Sequence, residues 1–147
     1  MTDSITLDVG YDRENCDKGI YKGPVHIDHY GRAVPKGAHG SVKLDNPTNL
    51  GSILISSVTA LFDRITDRNL TIRRITLSAN RVTQDEGFFQ VDLFTDTKKL
   101  EKEKQLQEAM LGIKKKFGKN AVLRGTNYLD GATMRERNEQ IGGHKAK

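Results

Sequence analysis

Arg74, Thr76, Ser78 and Asn80 recur at every second position, with Arg73 and Arg81 at their flanks. A spacing of two is the period of a β-strand, which sets those four side chains on one face. Arginine brings charge, and hydroxyls and amides bring short donors. Together they suit phosphate oxygens rather than base edges. Thr6, Ser41 and Lys43 fall at equivalent positions on two other alternating stretches. The expected surface therefore carries Lys43, Arg73, Arg74, Thr76, Ser78, Asn80 and Arg81 as its nucleic-acid contacts. It lacks a ring of aromatics, so base stacking on the sheet in the manner of single-strand-binding folds is not expected. A plainer reading stands beside this one: any antiparallel sheet with one solvated face shows the same pattern.

A second constellation is Gln90-Val91-Asp92-Leu93-Phe94. The amide of Gln90 can set register, and two adjacent large apolar groups can fill a pocket on a partner. A few such anchors carry most of a peptide's binding energy. The competing reading is a short buried strand in which Phe88, Phe89, Leu93 and Phe94 are core.

Other chemistries find little support. Cys16, His26, Asp28, His29 and His39 lie in or beside one loop. Their spacing matches no zinc motif, so no metal is expected. No glycine-rich turn runs into Lys-Ser/Thr at a helix start, and no Ser-His-Asp or Cys-His spacing supports a nucleophile. The acidic residues of Lys98 to Lys104 alternate with lysines in a way that helical i,i+4 pairing explains. No catalytic residue and no cofactor are expected.

Composition agrees with a binding role. The 147 residues are 35% hydrophobic and 29% charged, without tryptophan, enough for one modest core. The net charge of +5 favours a polyanionic partner, nucleic acid before anionic membrane. No apolar run approaches the roughly 20 residues of a membrane span. The first ten residues lack the blocks of a signal peptide, and Cys16 stands alone, so a cytoplasmic location is expected.

The elements that would position these residues follow from periodicity. Ile5, Leu7 and Val9 alternate with Ser4, Thr6 and Asp8 and predict a strand over Ser4 to Gly10. Tyr11 to Gly40 reads as a long irregular connection. A second strand is expected at about Gly40 to Leu44, with Val42 and Leu44 toward the core. Thr48 or Asn49 is expected to cap a helix from Leu50 to about Ile65, whose inner stripe is Leu54, Val58, Leu61, Phe62 and Ile65. Thr71 to Val82 predicts the third strand, with Ile75, Leu77 and Ala79 inward. A charged helix is expected over Thr97 to Phe117, with Leu106, Met110, Ile113 and Phe117 as a narrow stripe and Gly118 at its cap. Asn120 to Arg124 is expected to form a last short strand, and the polar tail from Thr126 to be flexible at its end.

Two features resemble a known family. Gln90 to Phe94 is similar to the bacterial sliding-clamp-binding motif Gln-Leu-Ser/Asp-Leu-Phe, with Val91 the one departure. Asn46-Pro-Thr-Asn49 before a helix and Thr71-Ile-Arg-Arg-Ile75 opening a strand resemble the little-finger domain of Y-family translesion DNA polymerases. Phe117-Gly-Lys-Asn120, Gly131-Ala-Thr, Glu136-Arg-Asn138 and Gln140-Ile-Gly-Gly-His144 look like the C-termini of the UmuC-like (ImpB/MucB/SamB) branch. The resemblance implies an α+β fold, a small antiparallel or mixed sheet with two helices packed on one face. It implies a little-finger-like DNA-binding part at 1–88, a clamp-binding segment at 89–96, a helix and strand at 97–125 and a tail at 126–147. The family's palm, with its metal-binding carboxylates, and the first strand and helix of its little finger have no counterpart here. The resemblance therefore implies a non-catalytic part, excised or a truncated gene product, in which the 97–117 helix and the 120–124 strand complete the sheet. Its implied partners are primer-template DNA, the sliding clamp and the catalytic part of the polymerase, with no membrane. The alternative is a protein–protein module or homodimer with no direct DNA role.

Overall fold

The alternating run near the N-terminus forms β1, Thr2–Tyr11, in a computed structural model that describes residues 1–85, 96–141 and 144–145. The chain divides into two compact units, Met1–Asp92 and Leu93–Lys147.

In the first unit β1 is the centre of a three-stranded antiparallel sheet. The short helix α1, Glu14–Asp17, follows it. Next come the hairpin strands β2, Val25–Ile27, and β3, Ala33–Pro35. The sheet's outer strands are β4, Ala38–Thr48, and β5, Ile72–Asn80, in the order β4-β1-β5. Helix α2, Gly51–Ile65, joins those two and packs on β4 and β1. Ile5, Leu7, Val9 and Tyr11 are buried on the side of β1 that α2 covers, as period two requires. Leu7, Val9, Tyr11, Leu61 and Leu70 form the core, with Val58, Phe62 and Ile65 of α2 packed against it. A methyl group at Gly40 would stand 3.0 Å from Leu61 Cδ1 and 3.2 Å from Ile65 Cγ2. The missing side chain is what lets the helix lie this close to β4. The N-cap of α2 is Leu50, one to two residues beyond the expected Thr48 or Asn49, and it has no capping side chain; the Thr48 hydroxyl accepts from the Leu50 amide at 3.1 Å, ahead of the helix.

The expected irregular connection between Tyr11 and Gly40 is partly ordered. Helix α1 has four residues and each hairpin strand three. Such lengths leave no period to read, so only the turn residues signalled them. Asn15 anchors α1. It is buried, and its amide group bonds Asp12 O at 2.7 Å and both backbone groups of Thr71, at 3.0 and 2.9 Å.

Two helices were expected over the apolar side of the sheet. The first unit has one of that length, and it covers β4 and β1 rather than β5. Ile75 and Leu77 of β5 are each 56% exposed. In the second unit α3 spans Thr97–Phe117, with Asp96 accepting from the Lys99 amide and Gly118 following at φ 94°. Its stripe residues Leu106, Ile113 and Phe117 are exposed. Asn120 to Arg124 forms no strand: the chain turns and bends there, and among the described residues the main sheet has three strands. The polar tail, expected to be flexible at its end, carries a 3-10 turn, Gly125–Tyr128, helix α4, Met134–Asn138, and the two-residue strands β6, Gln140–Ile141, and β7, His144–Lys145. Asn120 ties α4 down, accepting from Asn138 Nδ2 at 2.7 Å and donating to Arg135 O at 3.2 Å.

Candidate nucleic-acid interface

Cross-strand register assembles the polar side of the sheet. Ser4 stands between Lys43 and Asn80, Thr6 between Ser41 and Ser78, and Asp8 between His39 and Thr76, while Gly10 faces Arg74. Opposed residues in an antiparallel pair share a face. Lys43, Arg74, Thr76, Ser78 and Asn80 therefore do come together, as their spacing implied. The centre is a hydroxyl network. Thr6 Oγ1 lies 2.8 Å from Ser41 Oγ, and Asn80 Nδ2 donates to Thr6 Oγ1 at 2.8 Å.

Arg73 reaches its place by an irregularity. Tyr11, on the core side, pairs with Ile72, yet its neighbour Gly10 pairs with Arg74, so β5 holds one residue more than β1 at this step. Ile72 packs against the core, whereas a methyl group at Gly10 would meet Arg74 Cβ at 3.7 Å on the polar side. Arg73 is the extra residue, and it is exposed. Strict alternation would have assigned it to the apolar side, and a bulge suspends that rule.

Charge on this face is mostly uncommitted. Among the described residues, the side chains of Lys43, Arg73 and Arg74 have no hydrogen-bond or ion-pair partner, and all three are exposed. Arg81 differs. It follows β5 at φ 48°, and its Nε lies 2.8 Å from Asp3 Oδ1, so a carboxylate already holds it. The face also carries groups left out of the expected set. Asp8 sits mid-sheet with His39 Nδ1 2.6 Å from its Oδ1. Asp8 already belongs to the polar alternation of β1, and extending Ser41 by two residues along β4 finds His39.

At the end of the face near Arg74 a cavity of about 190 Å³ opens between sheet and hairpin, lined by Asp8, Gly10, His26, His39 and Arg74 among others. Gln90 to Phe94, the expected clamp-binding segment, lies outside the described residues. Among the described residues no group of His, Cys, Asp and Glu is gathered as metal ligands would be, and no helix is long and apolar enough to cross a membrane.

The first unit is thus a small α+β module that presents unpaired cations and hydroxyls on an open sheet face. Known proteins supply the lineage. The chain is 34% identical over 111 residues to DNA polymerase IV 2 of Halalkalibacterium halodurans, covering 76% of this chain and 26% of that protein. It is 32% identical over 110 residues to DNA polymerase IV 2 of Bacillus subtilis, with coverage of 75% and 26%. To the putative UV-damage repair protein UvrX of Bacillus subtilis it is 29% identical over 143 residues, 97% of this chain and 29% of that protein. The chain is a relative of the Y-family translesion DNA polymerases and spans between 26% and 29% of the length of these curated relatives. No family profile matches it, and no solved structure does.

Proposed function

We propose that this chain is a non-catalytic, little-finger-like part of a Y-family polymerase that holds the DNA backbone and tethers the enzyme to the sliding clamp during translesion synthesis in the cytoplasm. The observation that carries the DNA half is the polar sheet face: Lys43, Arg73 and Arg74 stand exposed beside a row of hydroxyls with no partner among the described residues. Cations left unpaired in this way are available to phosphates, and backbone contacts carry no sequence information, which suits an enzyme that must tolerate altered templates. The clamp half rests on the Gln90 to Phe94 sequence. The catalytic part of the polymerase is then a partner, supplied from outside these residues.

Fluorescence anisotropy with blunt duplex DNA at two salt concentrations tests the DNA half. Three phosphate contacts give a slope of log K against log salt of about −2.7. Arg73→Ala with Arg74→Ala flattens it by about 2 and weakens binding alike on unrelated sequences. Salt-independent or absent binding defeats this half. For the clamp half, Leu93→Ala with Phe94→Ala abolishes binding to the clamp and leaves the thermal transition in place; a collapsed fold would show those residues to be core.

A second reading has its own observation. Ile75 and Leu77 expose apolar surface on the α2 side of an edge strand, which favours a protein–protein module or a homodimer. A concentration-dependent sedimentation coefficient that Leu77→Ser removes, in a chain that ignores DNA, selects it.

A further inference from the structure

The β2–β3 hairpin offers a surface that the sheet face does not. Its tip is a closed turn: Gly31 N–H donates to Asp28 O at 3.0 Å, and Gly31 takes φ 75°, the left-handed residue that ends a three-residue hairpin loop. The Asp28 carboxylate holds the turn from inside. Its Oδ1 accepts from the amides of Tyr30 and Arg32 at 2.9 and 3.0 Å, and its Oδ2 from Arg32 Nε and Nη2 at 2.9 and 2.7 Å. The Arg32 guanidinium lies over the Tyr30 ring at 4.7 Å, and His29 meets that ring edge-on at 5.4 Å. With all this support Tyr30 is still 76% exposed. A ring held from one side and open on the other is already arranged for stacking, so little ordering remains to be done on binding.

The surroundings select the occupant. Lys22, Arg32 and Lys36 oppose the single carboxylate of Asp28 between Ile20 and Gly37, which suits a polyanion better than an apolar or acidic protein surface. The hairpin docks through β3, where Pro35 is buried, and leaves β2 wholly exposed. At its foot His26 lines the same cavity as Arg74, so the hairpin rises beside the free cations of the sheet.

We infer that Tyr30, presented by the β2–β3 hairpin, is a stacking platform for an unpaired base of a single-stranded nucleic acid. The inference rests on the nucleic-acid reading of this unit but uses a different surface and a different form of the ligand. Stacking of this kind is tolerant of base identity.

The full chain is titrated by anisotropy with a short labelled oligothymidylate and, separately, with a blunt duplex. Tyr30→Ala weakens oligothymidylate binding about 5- to 150-fold and leaves duplex binding unchanged. Tyr30→Phe keeps the ring and binds as the parent does. Arg73→Ala with Arg74→Ala has the opposite bias, with its main loss on duplex. No loss in Tyr30→Ala, an equal loss on both ligands, or failure of the parent chain to bind oligothymidylate overturns the inference. So does a change in self-association in place of DNA binding, read by sedimentation. A parent chain that binds oligothymidylate and not duplex would defeat the sheet-face reading alone and leave the Tyr30 comparison intact.

Discussion

Leu7 and Leu77 stand directly opposite each other across the β1–β5 ladder, on the same side of the sheet, yet Leu7 is 1% exposed and Leu77 56%. Register gives them one face; the position of α2 gives them different solvents. The helix crosses β4 and β1 and leaves β5 uncovered.

The first prediction uses that contrast. Leu7→Ala empties a packed site and costs about 2–5 kcal/mol in urea denaturation. Leu77→Ala removes a half-solvated side chain and costs less than about 1 kcal/mol. Equal losses would mean that Leu77 is covered in solution, by a second copy or by another segment.

What could be read in the sequence divides along the same line. The alternation of Ile5, Leu7 and Val9 and the three-and-four spacing of Val58, Leu61, Phe62 and Ile65 gave strand and helix, because each is a local period. Thr97 to Phe117 was legible end to end for the same reason, with Gly118 as its punctuation, whereas the Asp96 cap is seen only in the structure. The polar face followed from parity. Three things were not local. Which strands α2 covers depends on packing; the phase of Arg73 depends on an extra residue visible only once β5 is set against β1; and the Asp28–Arg32 turn lies in a stretch whose strands are three residues long. Nothing periodic marks Tyr30 in that stretch.

Asn15 carries the second prediction. Its side chain satisfies the amide and the carbonyl of Thr71 at once and joins the turn after β1 to the start of β5. Asn15→Ala orphans the Thr71 amide and removes one of two donors from the Thr71 carbonyl, which keeps the Asp12 amide at 2.8 Å, at a cost of about 1–3 kcal/mol, with the denaturant slope unchanged. Asn15→Asp keeps the acceptor for the Thr71 amide but loses the donor to the two carbonyls, so it also destabilises. A wild-type midpoint in Asn15→Ala would show that water replaces the carboxamide without penalty.

The last prediction concerns acid. The Arg32 side chain hydrogen-bonded to Asp28, then the backbone amides of Arg32 and Tyr30, hold the Asp28 carboxyl down to about 2, and the same partnership raises Arg32. An aspartate whose folded value lies below its unfolded one adds stability that is fully present above the unfolded value of about 3.9 and is lost as pH falls through the folded one. The hairpin tip therefore stays closed through mild acid and opens only as pH approaches 2. A carboxyl NMR titration should place the Asp28 midpoint near 2, and Arg32→Ala should return it toward the ordinary value of about 3.9. The amide of Tyr30, bonded to the same carboxylate, should shift with that midpoint in the parent chain. An Asp28 midpoint near 3.9 in the parent would mean that the turn is not held by this pair, and the fixed presentation of Tyr30 would fail with it.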